Sequence, residues 1–518
     1  MSQSFTGFSV VRNPAGIIPA GKIPRVPFAA EKAPAVPEGL ALIRPIYWVA
    51  GSIAAGAAVL YGGIGTASLT IAAVIALWAF FEPRTALWLA TAFMVFLFVF
   101  FQTTAPLGDE LPGEFFYWGA GIAFITAGVA AATFFSSEVD WVGARERFGT
   151  GTSIAMLVML LVTLAATVYG LLAGNQMFAV VRQLFGCLLL PGYFFLSIAL
   201  FRSTADVDFW LRRVSWVVTF GSVWYVERLS LISFAHGTYY REQSPLVAYS
   251  GAIAVVAWAH LITRRRIGIW LRAFVQLLMC VWAILLMGNR AALGSCLAAI
   301  AAVTLLAFWR RGLLAVALAS CLLPVGMGVA PYVMTRLVES RGLAGNIADR
   351  FIFVLSEDQS YQGRVAQTEV VMSMVGRQPI LGAGMGSENT FILPGEQRRV
   401  KRASVDSGWG YLLLKMGYLG LAAFFTLVVL LLKRGFVGLD AVKNPPVRAN
   451  RLAVAGVFLY ALVSFLAGPI FFHFSVSPFF ATALGALVVL GEARDAATQV
   501  PPRMPRVPKS VERGAHCA

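Results

Sequence analysis

The chain has 518 residues, of which 58% are hydrophobic and 13% are charged. A soluble protein of this length carries about a quarter charged residues, so the composition excludes an ordinary soluble enzyme. The net charge of +16 would suit nucleic acid if the basic residues shared one surface, but here they lie between long apolar runs. The composition therefore predicts a protein whose partner is the lipid bilayer and no nucleic acid.

Apolar runs of about 17 to 25 residues recur along the chain and predict helices that cross a membrane. We predict an all-α polytopic membrane protein with about 14 transmembrane helices and one long outer loop. The predicted spans are 47–63, 66–82, 85–102, 115–135, 153–173, 184–201, 216–234, 247–262, 271–288, 291–309, 313–330, 407–432, 452–472 and 476–491. The corresponding regions are a Pro- and Ala-rich tail (1–46), the first eleven helices (47–330), the loop (331–405), the last three helices (406–491) and a basic tail (492–518).

The basic residues predict the orientation of these helices. If the N-terminus is cytoplasmic, most of the 41 Lys and Arg residues fall in cytoplasmic segments, including 263–266, 309–312 and 432–435. The short loops on the other side are nearly free of them. The positive-inside rule then places both termini in the cytoplasm, and the loop 331–405 faces outward because loops of this length escape the rule.

The few arginines on the outer side are candidate binding residues, since a charge near membrane depth is functional by default. They are Arg182, Arg228, Arg241, Arg290 and, in the long loop, Arg336, Arg341, Arg350, Arg364, Arg377 and the run 398–402. Guanidinium groups bind phosphate through paired hydrogen bonds, so the set predicts a lipid-linked pyrophosphate as ligand. Two alternatives stay open: Glu227 can form a local ion pair with Arg228, and the run 398–402 can be a solvated face.

No metal or other cofactor is predicted. Five cysteines, Cys187, Cys280, Cys296, Cys321 and Cys517, show no paired spacing and indicate neither a zinc site nor a disulfide framework. The outer loop also lacks the acidic pair or His/Cys cluster that would hold a metal ion.

The long loop is apolar enough to pack. Residues 363–377 predict an amphipathic helix whose face is Val365, Thr368, Met372 and Val375, closed by Pro379 and Gly382. Residues 382–387 (GAGMGS) lack the strand and lysine of a phosphate-binding loop and predict a flexible turn.

The next helix opens with polar residues. Asp406 and Ser407 stand at its N-cap, which by itself explains a carboxylate there. Trp409 on the same face either stacks on a sugar ring or belongs to the aromatic belt of the membrane interface. Lys415 lies half a turn round the helix, so we expect no pairing with Asp406.

Three segments together resemble the superfamily of O-antigen ligases and Wzy-type polysaccharide polymerases of bacterial inner membranes. They are MGNRAALGS (287–295), GRVAQTEVVMSMVGRQPILGAGMGS (363–387) and VDSGWGYLLLKMGYLGLAAFF (405–425). The ligases place a histidine where this chain has Asp406, and this departure favours the polymerase members.

The resemblance implies a GT-C-like helical, metal-independent glycosyltransferase that acts at the periplasmic face. Its donor would be an undecaprenyl-pyrophosphate-linked oligosaccharide, and its product would be exopolysaccharide, capsule or O-antigen. A chain-length regulator would be a partner protein. Asp406 would be the general base, with Arg290 and Arg364 stabilising the leaving pyrophosphate. The expected substrate-binding residues are Arg182, Arg228, Glu227, Arg241, Trp409 and Glu369, the last also a second candidate base.

Two other functions remain open. An O-antigen ligase would transfer finished polysaccharide to a different acceptor with the same arginines. A 14-helix flippase or transporter predicts repeated halves and charged or broken helices near the bilayer midplane. We find no repeat, but Glu227, Arg228 and Lys415 are the residues on which that hypothesis would rest.

Overall fold

The computed structural model describes residues 66–101, 112–136, 139–236, 245–308, 359–392, 399–402 and 405–498, with the exception of 265, 288, 440, 441 and 443. It also describes six isolated residues between 47 and 57. The chain divides into two units, 1–53 and 54–518. Of the first, only residues 47, 50, 51 and 53 are described, and they are helical. The second unit contains all the other described residues.

The described residues of this unit are almost entirely helical. The helices are α1 (Thr66–Trp78), α2 (Pro83–Phe101), α3 (Pro112–Phe135), α4 (Trp141–Phe148), α5 (Gly151–Leu172), α6 (Met177–Leu200), α7 (Thr204–His236), α8 (Leu246–Thr263), α9 (Ile267–Leu286), α10 (Arg290–Phe308), α11 (Gln359–Arg377), α12 (Gly408–Phe436), α13 (Pro445–Ser464) and α14 (Ser477–Thr498). Seven of them, α5, α6, α8, α9, α10, α12 and α13, are long and apolar enough to cross a bilayer. The protein is therefore a helical, multi-pass membrane protein.

The helices agree with the apolar runs of the sequence. All the predicted spans between 66 and 309 and between 407 and 491 overlap a helix. One boundary differs, because the helix predicted over 452–472 ends at Ser464 and is followed by a short 3₁₀ helix, Ile470–Phe472. The span 313–330 and nearly all of 47–63 lie outside the described residues, so a total of 14 transmembrane helices stays a prediction.

Buried arginines close one end of the helices. The Arg147 guanidinium, 4% exposed, donates from Nη1 to the carbonyl oxygen of Ile198 at 2.7 Å, near the end of α6. Arg451, 1% exposed, donates from Nη2 to the carbonyl oxygen of Val437 at 2.9 Å, just after α12. The last carbonyl groups of a helix have no partner within it, so these arginines act as C-terminal caps.

Asp208 joins three helices at the same end. Its Oδ1 accepts hydrogen bonds from Arg264 Nη2 at 2.7 Å and from Asn450 Nδ2 at 3.0 Å, and its Oδ2 lies 3.0 Å from Arg212 Nε. Burial opposes ionisation, but these hydrogen bonds and the two arginine charges outweigh it and lower the pKa of Asp208. Segments predicted to be cytoplasmic thus meet at one end of the helices.

The opposite end carries the only strands among the described residues. Strands β1 (Asn389–Ile392) and β2 (Arg399–Arg402) form an antiparallel hairpin in which Asn389 faces Arg402. The sequence analysis did not predict this hairpin. Residues 399–402 of the basic run form strand β2.

The helix predicted in the long loop exists as α11, but of its predicted face only Val375 is buried, and Val365, Thr368 and Met372 are exposed. Gln367, Val371 and Val375 are each 1% exposed and form one row, whereas Val365 and Met372 are 42% and 46% exposed. Apolar side chains of a membrane protein are as stable against lipid tails as against the core. The most apolar face of such a helix therefore does not identify its packing face.

Candidate functional site

Helix α12 is broken in its first half. Gly417 has φ +62° and ψ −160°, a conformation outside the helical region, and the helix resumes beyond it. A break in a membrane helix leaves backbone N–H and C=O groups that need other partners, because lipid supplies none. In this protein another segment of the chain provides them.

That segment comprises residues 379–387 and is called the glycine segment. Its Pro379 carbonyl oxygen accepts a hydrogen bond from Tyr418 N at 2.8 Å, and its Ala383 N donates to the carbonyl oxygen of Leu414 at 2.7 Å. These bonds lie on either side of Gly417 and satisfy backbone groups that the break leaves open. Residues from the segment before α12 thus complete the hydrogen bonding of its broken backbone.

The glycines of this segment are required by geometry. Gly382, Gly384 and Gly386 have φ of +63°, +78° and +81°, where other residues are strained. A Cβ on Gly384 would lie 2.7 Å from the Cα of Gly170 in α5, closer than real contacts allow. The predicted turn is present, and the segment is closely packed and hydrogen-bonded.

Helix α6 and the turn before it hold the other side of the glycine segment. Asn175 Nδ2 donates to the carbonyl oxygen of Met385 at 2.8 Å, and Gly386 N donates to Gln183 Oε1 at 2.7 Å. The segment therefore fixes α6 and α12 relative to each other.

Lys415 lies beside the break and is fully buried. Its Nζ donates to Ser387 Oγ at 3.2 Å and to the carbonyl oxygen of Ser387, and it lies 6.0 Å from the centroid of the Tyr411 ring. The partner of Lys415 is thus the last residue of the glycine segment.

Asp406 is held by α11. Its backbone N–H donates to Gln367 Oε1 at 2.9 Å, and its side chain is half-buried. Ser407, whose Oγ accepts from Gly410 N at 3.4 Å, is the N-cap of α12. Asp406 precedes that cap by one residue, so its carboxylate is not the N-cap acceptor. Arg364 lies three residues before Gln367 and is half-buried, so the two side chains are neighbours on α11.

Trp409 packs against protein at the start of α12. Its ring lies 5.3 Å from that of Phe465 and 5.9 Å from that of Phe424, both edge-on, and it is half-buried. Such pairs are favourable packing contacts, so most of the ring has a structural role here.

Arg182 and His473 form a second part of the site, which the sequence analysis did not connect. Arg182, on α6, is exposed, and Ser475 Oγ is hydrogen-bonded to Nδ1 of His473. The His473 side chain is accessible to solvent. Surrounding protein and, to a smaller extent, the charge of Arg182 lower the pKa of His473 to about 4. No motif links these two residues, which lie far apart in the sequence.

The remaining predicted residues divide into three groups. Arg290 is the first residue of α10 and half-buried, in a turn capped by Asn289 Oδ1, which accepts from Ala292 N at 3.0 Å. Glu227 on α7 and Glu369 on α11 are exposed. Arg228 lies on α7, but its side chain and all of Arg241 are outside the described residues.

The structure brings some of these residues together. Asp406 is bonded to Gln367, which lies on α11 three residues after Arg364. Gln183, next to Arg182 on α6, is bonded to Gly386 of the glycine segment, and Ser387 of the same segment is bonded to Lys415. The contacts just described do not include Arg290 or Glu227. Within the part of the chain that the structure describes, no three His, Cys, Asp or Glu side chains are grouped so as to hold a metal ion.

The site is therefore a junction of α6, α11, α12 and the glycine segment that combines a carboxylate, a histidine and several cationic groups. Comparison with protein-family models gave no match, and comparison with curated proteins gave none either.

Proposed function

We propose that the protein is a glycosyltransferase of the bacterial inner membrane that polymerises oligosaccharide repeats linked to undecaprenyl pyrophosphate. The observation that carries the proposal is the bond from Asp406 N–H to Gln367 Oε1, 2.9 Å long. It ties the backbone of Asp406 to Gln367, which lies three residues after Arg364 on α11, and in this proposal the Asp406 carboxylate and Arg364 act on the same substrate. A base for a hydroxyl group and a cation for a phosphate are the two groups that such a transfer needs.

The chemistry follows from these two groups. The Asp406 carboxylate takes the proton of the acceptor hydroxyl, whose oxygen forms a bond to the anomeric carbon of the donor sugar. The bond from that carbon to the pyrophosphate oxygen breaks, and its electron pair leaves with the undecaprenyl pyrophosphate. Arg364 and Arg290 stabilise the charge on the leaving group, and Asp406 passes its proton to water.

The surroundings suit a lipid-linked substrate. Val365 and Met372 on α11 and Ile380 in the glycine segment are 42%, 46% and 69% exposed, a surface that acyl or prenyl chains can cover. In this proposal Arg182, Arg228, Arg241, Glu227, Glu369 and Trp409 contact the substrate at the periplasmic face. The product is exopolysaccharide, capsule or O-antigen, and a chain-length regulator is the expected partner.

One observation favours a second function, transport of the lipid-linked saccharide. Broken membrane helices with a buried charge beside the break are typical of transporters, and α12 has both at Gly417 and Lys415. Against it, the glycine segment satisfies the open backbone groups on both sides of the break. The polymerase remains the better supported proposal.

The test measures the length and sidedness of lipid-linked saccharide in cells that lack the protein and in cells that carry Asp406→Asn. Single repeats on the periplasmic side are the expected result for both. The matched control is Glu146→Gln, an exposed carboxylate on α4 at the opposite end of the helices, which should restore full chains.

The other outcomes each point to a different conclusion. Full-length chains retained on undecaprenyl pyrophosphate would indicate a ligase, and single repeats retained on the cytoplasmic side would indicate a flippase. Normal chain length with Asp406→Asn, at normal protein level, would exclude Asp406 as the base.

A further inference from the structure

Two buried polar side chains, Lys415 and Ser387, are in contact at the end of the glycine segment, and a third buried polar residue, Asn389, follows two positions later in the chain. Lys415 and Asn389 are 0% exposed and Ser387 is 4% exposed. Lys415 contacts Ser387 directly, and Asn389 follows Ser387 by two residues, a chain distance of at most about 7 Å. These three residues are called the lysine cluster.

The cation of this cluster is not neutralised by a direct ion pair. Among the described residues no Asp or Glu oxygen lies within 4.0 Å of Lys415 Nζ, although the charge of Glu388 acts on it from farther away. Both hydrogen-bond acceptors of Nζ are oxygens of Ser387 and neutral. An ammonium group has three donors, and burying it without a counter-ion is unfavourable.

Asn389 adds a second unsatisfied group. Neither its Nδ2 nor its Oδ1 has a hydrogen-bond partner among the described residues. Buried amides in folded proteins nearly always have partners, so an amide that lacks both is a position where a ligand or water binds. An amide that is unsatisfied among the described residues thus lies two positions along the chain from Ser387, the partner of Lys415.

The neighbouring contacts show how the cluster meets the rest of the site. Ser387 is bonded to Lys415 on α12, and the preceding residue, Gly386, is bonded to Gln183 on α6. Two consecutive residues therefore bridge the two helices. Arg182, adjacent to Gln183, places another cation on the α6 side of this bridge.

We propose that the lysine cluster binds a phosphate oxyanion. The Lys415 ammonium would supply the charge, and the Ser387 hydroxyl and the Asn389 amide N–H would donate hydrogen bonds to its oxygens. Access requires Ser387 to turn away from Lys415, so that ligand oxygens replace the Ser387 oxygens at Nζ. Identifying the oxyanion as pyrophosphate of the lipid-linked donor or product rests on the proposed function; the binding itself does not.

The test uses the purified full-length protein in lipid nanodiscs, titrated with inorganic pyrophosphate and, separately, prepared with undecaprenyl phosphate in the bilayer. Thermal unfolding and calorimetry report binding. We expect the wild type to be stabilised and Lys415→Met to bind about tenfold more weakly or worse, since a hydrogen bond to a charged group contributes about 1.5–3 kcal/mol. Lys433→Met is the matched control, an exposed lysine at the other end of α12, and should bind normally.

The two ligands distinguish the source of the oxyanion. Binding of pyrophosphate in solution indicates a site for the released anion, whereas a response to undecaprenyl phosphate alone indicates a site for the lipid headgroup. Absence of both responses in the wild type, or equal affinity in Lys415→Met, would overturn the proposal.

A folding defect does not obscure the result. Methionine at position 415 removes a buried charge without an ion pair, so the variant should stay folded. If it does not, Ser387→Ala and Asn389→Leu keep the lysine and should each weaken binding. Binding that depends on Lys415 in a protein that does not polymerise saccharide would refute the proposed function and leave the oxyanion site established.

Discussion

The backbone N–H of Asp406 donates to Oε1 of Gln367 across 2.9 Å, and this bond ties the start of α12 to α11. Gln367 is 1% exposed, so its amide is fixed by packing. The position of the proposed base therefore depends on a residue that does not itself touch the reacting atoms. Gln367 is a positioning residue in this arrangement.

Replacing Gln367 with Leu should reduce chain extension at least about tenfold. The Asp406 N–H would lose this acceptor, and an unsatisfied buried donor costs about 1–3 kcal/mol, which a shift of the Asp406 backbone would relieve. Gln367→Glu keeps an acceptor oxygen for the Asp406 N–H and should therefore retain much of the activity that Gln367→Leu loses. If Gln367 were needed only for folding, the two variants would not differ in this way. Saccharide chain length at matched protein levels is the measurement.

The control for this pair is Ser373→Leu, at an exposed position of the same helix. It should leave chain length unchanged. Normal extension with Gln367→Leu would show that Asp406 is positioned by other contacts.

The sequence predicted the helices well because each apolar run specifies its helix locally. The sequence also predicted which loops lie near each other. Successive membrane helices run in opposite directions, so every second loop lies at the same end of the helices. Arg147 and Arg451 confirm that the basic segments cluster, but their capping of α6 and α12 depends on tertiary packing. Local patterns contain no information about such contacts.

The candidate site was less predictable for the same reason. Lys415 was expected not to pair with Asp406, but its partner Ser387 lies 28 positions earlier, on a segment predicted as a turn. The positive φ values of that segment suit glycine, yet glycine is also common in flexible turns. Only the backbone approach of α5 and α12 distinguishes the two cases.

Gly417→Ala should destabilise the protein by about 3 kcal/mol or more. The position has φ +62°, and a Cβ there would lie 2.3 Å from the carbonyl oxygen of Ile380, a backbone atom that cannot move alone. Gly376→Ala on α11 is the matched control, because nothing lies within 4 Å of its added Cβ, and alanine there should stabilise by about 0.5–1 kcal/mol. Unfolding in detergent measures both, and an unchanged midpoint for Gly417→Ala would contradict the helix break.

His473 should make the protein less stable at mildly acidic pH. Its pKa is about 4 when folded against an ordinary value of 6.5, because desolvation by the surrounding protein and the charge of Arg182 disfavour the imidazolium ion. Between these two values the unfolded state binds the proton and the folded state does not, so stability falls as pH drops from 6.5 to 4 and this contribution then levels off.

The variants isolate this effect from the other titrating groups. His473→Gln should show a smaller loss of thermal stability than the wild type between pH 6.5 and 4, and Arg182→Gln a partial reduction, because desolvation by the surrounding protein remains. Histidine NMR titrations report the same pKa directly. Identical pH profiles for His473→Gln and the wild type would contradict the assignment.

The orientation of the helices can be tested with two single cysteines. Ala173, in the turn between α5 and α6, and Arg145, on α4, are both exposed and lie at opposite ends. The background protein has Cys321 and Cys517 replaced by serine, while Cys187, Cys280 and Cys296 are buried and should not react. A membrane-impermeant maleimide should label Ala173→Cys in intact spheroplasts and Arg145→Cys only after permeabilisation.

This experiment bears directly on the proposed chemistry. The Ala173 turn is next to Asn175, which is bonded to Met385 of the glycine segment, so its side of the membrane is also the side of the site. Labelling of Arg145→Cys in intact spheroplasts would place Asp406 on the cytoplasmic side and the basic segments near Arg145 on the outer side, against the positive-inside rule. A periplasmic polymerase would then be excluded, and a cytoplasmic saccharide donor would have to be considered instead.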